Sequence, residues 1–227
     1  TKKIEAILGF IPTYHFDPTL KSSVDIWGAI WKTTHNASDL LLEKNGLVMG
    51  LGSLLLEYLV SKKNVRSYGA IGINGKVAKL YRYLGFSVGH LNHYYIINRK
   101  RDNFNLIEGF NGLYFSSKFP PKKLVFSIDD ANPVFPTSSH TPCLPLKSKK
   151  YLIKKYVENL FYKYFFLNVQ DGFSEGCSLA CRIARANNSQ AIRIVDFSGN
   201  LSSLSGGSTL FQNLLESHDA EYIDFYS

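Results

Sequence analysis

"NGKVAKLYRYLGFSVGHLNHYYIIN", residues 74–98, turns a tyrosine inward just before a Leu-Gly-Phe stop. Val77, Leu80, Tyr81 and Leu84 recur at i, i+3, i+4 and i+7, so the spacing predicts a helix over 75–84 with all four on one face. Gly85 stands where a left-handed C-cap is cheap. Beyond it, "FSVGH" (86–90) and "NHYYIIN" (92–98) read as strands. A phenol buried at the end of a short helix is either packing or a positioned proton donor. The residues upstream decide which reading to pursue.

Upstream, "KIEAILGFIP" (3–12) and "SVDIWGAIWKT" (23–33) are apolar, β-branched and aromatic, and they read as adjacent strands joined by the loop "TYHFDPTLKS" (13–22). In "NGLVMGLGSLLLEYLVSKK" (45–63), Leu51, Leu54, Leu55, Tyr58 and Leu59 repeat with helical spacing, which predicts an amphipathic helix over 51–62. "VRSYGAIGI" (65–73) follows as a buried strand. The expected order is strand, strand, helix, strand, helix, strand, strand.

Residues 99–150 change character. They hold Pro120, Pro121, Pro133, Pro136, Pro142 and Pro145 and little periodicity beyond one expected strand, "KKLVFSI" (122–128). A long connection of this kind argues for a domain boundary. Three segments are therefore expected: a first domain over 1–98, a Pro-rich linker over 99–146 and a second, partial domain over 147–227. The second opens on a basic helix (147–160) and continues through strands at 160–169, 178–185 and 190–199, a helix at 206–217 and a strand at 220–226. Asn187 and Asn188 suit a tight hairpin turn. Strand–strand–helix–strand thus occurs in both halves, which reads as a degenerate tandem duplication. Its first copy is expected to lack its beginning and its second its end. The fold class is α/β with mixed sheets.

Of 227 residues, 45% are hydrophobic and 19% charged, as in ordinary globular chains. No apolar run of about 18 residues is present, so no membrane span is expected. Cys143, Cys177 and Cys181 are few, odd in number and not at metal spacing, so no metal site is expected and a reducing, cytoplasmic setting fits. Cys177 and Cys181 read as core residues. The net charge of +8 is uneven: residues 1–98 hold 11 Lys or Arg against 6 Asp or Glu, and residues 151–227 hold 6 against 8. The basic part suits a phosphorylated ligand, an acidic membrane surface or nucleic acid. No Arg-rich helix or aromatic-interleaved basic strand supports nucleic acid, and none is expected as a partner.

"MGLGSLLL" carries the most chemistry. Gly50 and Gly52 open a helix whose first backbone N–H groups have no intrahelical partner, and glycine lets a phosphate approach them. By itself, Gly-x-Gly is equally a tight turn. A third glycine of a dinucleotide fingerprint and the lysine of a P-loop are both absent.

The Gly-x-Gly helix start, the strand after it, and then Asn74, Ala78, Leu80, Tyr81, Gly85 and Phe86 together resemble the GNAT superfamily of acetyl-coenzyme A-dependent N-acetyltransferases. The resemblance covers residues 3–98 and implies that fold. It implies that Met49, Gly50, Leu51, Gly52 and Ser53 cradle the pyrophosphate of acetyl-coenzyme A. Leu47 departs from the family's Arg or Gln at the start of that cradle. It implies further that Asn74 contacts the cofactor near the thioester, and that the family's fourth and fifth strands splay to admit the pantetheine arm. A backbone N–H around Trp31, Lys32 and Thr33 would meet the oxyanion, and Tyr81 would protonate the departing thiolate. The tandem arrangement, with "GFIPTYHFD", "DIWGAIWK" and "HYYIIN", also looks like GNAT-type proteins encoded near surface-polysaccharide genes.

On that resemblance the chain is an acyltransferase that moves an acetyl group to a small amine or amino sugar by direct attack in a ternary complex. His15 and Asp17 are candidates for the base, with His15 suited by an unperturbed pKa near ~6.5. His35 is a further candidate. The second half lacks the Gly-x-Gly spacing and is expected to serve as a supporting lobe. Two other readings stay open: a GNAT-like binding module without turnover, and a basic nucleic-acid-binding protein.

Overall fold

The computed structural model describes residues 4–22, 24–34, 41–44, 47–62, 64–108, 124–134, 144–170 and 176–227, with 41–44 and 47–49 described by their backbone. It divides into two compact units, Thr1–Val88 with Thr141–Tyr151, and Gly89–His140 with Leu152–Ser227. Both are mixed α/β. Among the described residues no helix is long and apolar enough to cross a membrane.

In the first unit, β1 (Ala6–Pro12) pairs antiparallel with β2 (Val24–Thr33). A short hairpin, β3 (Leu41–Lys44) and β4 (Leu47–Gly50), leads directly into helix α1 (Leu51–Lys62). The helix crosses over to β5 (Val65–Gly69), which joins β2 in parallel, so the sheet order is β1-β2-β5. Helix α2 (Gly75–Tyr83) follows, with Asn74 as its N-cap.

The parallel β2–β5 pairing covers only Val24–Trp27, whereas β2 continues to Thr33 along β1. Gly9 pairs with Ile30 and Phe10 with Gly28, which leaves Ala29 as an extra residue in β2. Such a bulge bends its strand and shifts the side-chain alternation by one. Without it, Ile26, Gly28 and Ile30 would share a face. With it, Ile26 and Gly28 share their face with Trp31 and Thr33, and the exposed Ile30 and Lys32 fall on the other.

A buried carboxylate ties this unit together. Asp25 on β2 accepts from Arg66 Nε at 3.0 Å and from Arg66 Nη2, from Ser67 Oγ at 2.7 Å and from the Leu146 N–H at 2.8 Å. A charge in an apolar strand survives burial only when its lone pairs are filled in this way.

The second unit is a six-stranded sheet ordered β6-β11-β10-β9-β8-β7. Its strands are β6 (His93–Ile97), β7 (Val125–Asp129), β8 (Phe165–Gln170), β9 (Cys177–Ala186), β10 (Ser189–Gly199) and β11 (Tyr222–Tyr226). Helix α3 (Lys149–Leu152), whose first three residues belong to the first unit, runs into a π turn (Ile153–Val157), and α4 (Ser208–Ser217) links β10 to β11. Leu210, Phe211, Leu214 and Leu215 of α4 pack with Leu167, Leu179, Ile192 and Ile223 of the sheet. Cys177 and Cys181 are free and belong to the same core, where burial pushes both thiols up to about 12. They are packing residues.

The two units repeat one topology. In each, an antiparallel pair (β1–β2, β9–β10) is followed by a crossover helix and a strand parallel to the second member. Each middle strand carries a bulge at the same offset. Val195 is the extra residue in β10, two beyond Arg193, the last to pair with β11. Ala29 is likewise two beyond Trp27.

Several local expectations are corrected. "FSVGH" forms no strand, since Gly85 (φ +85°) turns the chain and residues 86–90 join no ladder. "NHYYIIN" does not close the first sheet. His93–Ile97 pairs antiparallel with β11, with Ile97 opposite Tyr222 and His93 opposite Tyr226. Residues 99–146 are not wholly a linker, because β7 lies among them as an edge of the six-stranded sheet. The basic helix expected over 147–160 ends its α-helical part at Leu152. Helix α1 buries Gly52, Ser53, Leu56 and Leu59, whereas Tyr58 is 63% exposed. That helix is apolar on most sides, so the small residues, which permit close docking, chose the buried face.

Candidate functional site

The end of α2 explains the inward tyrosine. Phe86 N–H donates to the Tyr81 carbonyl at 2.9 Å and Gly85 N–H donates to the Arg82 carbonyl at 3.0 Å. This is a Schellman cap, which requires a left-handed residue at Gly85 and sets the residue after it against the residue five before. Phe86 accordingly packs edge-on to the Tyr81 ring, with centroids 5.4 Å apart. The Asn74 side chain fixes the other end by accepting from the Val77 N–H at 3.0 Å.

Tyr81 is 4% exposed and meets Trp31 edge-on at 5.3 Å. Its hydroxyl lies 2.8 Å from the hydroxyl of Tyr68 on β5. Tyr68 reaches it by lying across Gly28, where a Cβ would come within 2.1 Å of the Tyr68 hydroxyl. Gly28 is the first β2 residue beyond the β5 pairing, so the two hydroxyls sit where the strands part. Burial, followed by the bond to Tyr68, raises the Tyr81 pKa far above that of an ordinary phenol. Burial raises Tyr68 as well, against the lowering effect of the Tyr81 bond. Both phenols are therefore protonated at neutral pH.

Trp31, re-aimed by the bulge, covers the start of α1. A Cβ on Gly52 would lie 2.7 Å from Trp31 Nε1 and 3.4 Å from Thr33 Cγ2. Among the described residues nothing lies within 4 Å of where a Gly50 Cβ would be. Of the expected cradle, the indole fills the Gly52 end, and no described residue fills the Gly50 end. Ser53 is buried, Leu51 half-buried, and Met49 lies opposite Leu42 in the β3–β4 hairpin. Lys32 projects from the face opposite Trp31, away from this cluster.

The two loop candidates differ. His15 ends a 3₁₀ turn, Thr13–His15, and is exposed beside Phe16, with ring centroids 5.2 Å apart. Asp17 is 2% exposed and already committed. It accepts from Thr19 N–H at 3.0 Å, Thr19 Oγ1 at 2.9 Å and Ser148 Oγ at 2.5 Å. Burial raises its pKa, and the Ser148 and Thr19 bonds more than reverse this, leaving the carboxyl below its ordinary 3.8. A carboxylate so held pins the loop and is a poor proton acceptor at neutral pH. Asp17 thus holds its loop in place, and the Asn74 side chain caps α2. His35 lies outside the described residues.

Tyr68 and Gly28 were not among the expected site residues. A glycine inside the strand-like "DIWGAIW" is a recognisable sign of a bulge or a close approach. Nothing local singles out Tyr68.

Comparison of the chain with protein-family models, with curated proteins and with solved structures gives no match. Among the described residues no group of three or more His, Cys, Asp or Glu is placed to hold a metal ion.

Proposed function

We propose that the first unit is a GNAT-like acyltransferase that takes its acyl group from acetyl-coenzyme A. One observation carries the reading: β2 and β5 part at Trp27, and the hydroxyl of Tyr81 stands at that parting, its ring against the Trp31 indole that covers the start of α1. The thioester would supply an activated acyl group. Gly50 and the first-turn amides of α1 would hold its phosphates, because unpaired helix N–H groups favour anions and no described residue fills the space beside Gly50. Past Trp27 β2 runs on along β1 without β5, and an oxyanion would be met by a backbone N–H on this stretch. Tyr81, kept protonated by burial, would hold the proton destined for the leaving thiolate. Of the two base candidates among the described residues, His15 is the better placed, since it is exposed on its loop whereas the Asp17 carboxylate is buried and held by three donors. The acceptor would be a small amine or amino sugar.

The test is release of free thiol from acetyl-coenzyme A with a panel of amines and amino sugars, beside thermal unfolding with and without coenzyme A. Coenzyme A should raise the melting temperature by mass action. In Gly52→Val the new side chain meets the Trp31 indole, which must move, and it crowds the first turn of the helix. That variant should lose the thermal shift and change its tryptophan fluorescence. A full shift retained in Gly52→Val would remove the cradle from the proposal.

A second reading, a binding module without turnover, is favoured by the closed geometry at Gly52 and by the commitment of the Tyr81 hydroxyl to Tyr68. Coenzyme A binding without thiol release for any acceptor would select it.

A further inference from the structure

The second unit carries a cavity far in sequence from these residues. It measures about 510 Å³, within the range of small-molecule sites. Three segments of the unit wall it: the β9–β10 hairpin tip, with Arg185, Asn187, Asn188 and Gln190; the turn after α4, with Asp219; and the chain after β6, with Arg101.

The walls are fixed before any ligand arrives. Ala186 pairs with Ser189, and Asn187 and Asn188 between them have φ of +47° and +56°, the twist-matched two-residue hairpin turn. Asn187 Nδ2 donates to the Asn105 carbonyl at 3.4 Å. The Gln190 side chain donates to the His218 carbonyl, and the Gln190 backbone carbonyl accepts from Glu221 N–H at 2.8 Å.

These walls are rich in donors and short of acceptors. Arg185 is exposed and has no acidic partner among the described residues. Arg101 is mostly covered, with 23% of its side chain exposed. Its Nη2 donates to the Asp219 carbonyl at 2.8 Å and to the Asp219 carboxylate at 2.6 Å. Its Nε is buried and has no hydrogen-bond partner among the described residues. Among the described residues Asp219 is the one acid lining the wall, and 85% of its side chain is exposed, so the ion pair it makes is screened and exchangeable. The buried Glu221 carboxylate, which also interacts with Arg101, is held by the Asn105 and Leu106 N–H groups.

We infer that this cavity binds a small organic molecule through an oxyanion head, a phosphate or a carboxylate. Arg101 and Arg185 supply paired charge-assisted donors, and the asparagine amides of the rigid turn supply the remainder. The volume leaves room for a body of about sugar size beyond the head.

The test is an amide- and guanidinium-resolved NMR titration of the full chain with inorganic phosphate and, separately, succinate, against chloride at matched ionic strength. Saturable shifts are expected at Asn187, Asn188 and the Arg101 Nε–H, and the tighter of the two anions identifies the head group. Arg185→Ala, on an exposed hairpin, should keep its melting temperature and weaken binding about tenfold or more. Arg101→Lys keeps the charge but removes the planar fork, and should weaken it similarly. No saturable shift with either anion up to tens of millimolar overturns the inference. So does binding that Arg185→Ala leaves unchanged, and Arg185→Ala decides if Arg101→Lys fails to fold.

Discussion

Tyr81→Phe should lower acetyl-coenzyme A turnover by roughly 10²–10⁴ while coenzyme A affinity changes little. The substitution keeps the ring, so the edge contacts with Phe86 and Trp31 survive and the Schellman cap is untouched. What it removes is the hydroxyl. Tyr68→Phe is the matched control, because it breaks the same 2.8 Å hydrogen bond from the other side. Each change should cost about 1 kcal/mol of stability. Only loss of the Tyr81 hydroxyl removes the proposed proton donor, so Tyr68→Phe should retain most of the turnover. Equal loss in the two variants would mean that the pair acts only by positioning, and full activity in Tyr81→Phe would end the acid assignment. The raised pKa of Tyr81 keeps the donor loaded at neutral pH, so alkaline loss of activity should not begin near the ordinary phenol value.

Asp25→Ala should destabilise the first unit by about 3 kcal/mol, read as a lower denaturation midpoint in urea. The carboxylate is fully buried, and its loss strands the Ser67 hydroxyl and the Leu146 N–H together. Arg66, with 38% of its side chain exposed, recovers part of its hydration, which keeps the cost toward the lower end for a broken buried pair. The pH dependence has a definite sign. Burial raises the Asp25 pKa, and the Arg66, Leu146 and Ser67 donors more than reverse it, so the folded value lies below the ordinary 3.8. A group depressed on folding stabilises fully above its unfolded pKa and loses that contribution as pH falls through the folded one. The difference between the native chain and Asp25→Asn should therefore be constant near neutrality and shrink below 3.8. A difference that widened in acid would contradict the assignment.

Helix α1 spans the expected residues 51–62, and the Asn187–Asn188 turn and the inward face of α2 are where periodicity and turn chemistry put them. The repeated strand–strand–helix–strand order was also legible, because each element announces itself within a dozen residues. The candidate site was legible only in part. Tyr81 was identifiable from helical spacing, whereas its partner Tyr68 sits in a short strand whose residues carry no periodic signal. Asp17 and Asn74 looked chemical because carboxylates and amides serve both caps and catalysis, and one partner that holds Asp17, Ser148, lies 131 residues away along the chain.

What the sequence by itself determined is the set of elements and their local ends: the two crossover helices, the hairpin turn, the glycine stop after Tyr81 and the core role of Cys177 and Cys181. These follow from interactions between residues close along the chain. The tertiary structure alone decided which strands pair and which side chains meet. It gave β6 to β11 rather than to the first sheet, used the Ala29 bulge to carry Trp31 onto Gly52, and set the Tyr68 and Tyr81 hydroxyls together where β2 and β5 part. Strand register and a one-residue bulge change no local propensity, yet each moves every side chain beyond it to the other face of the sheet.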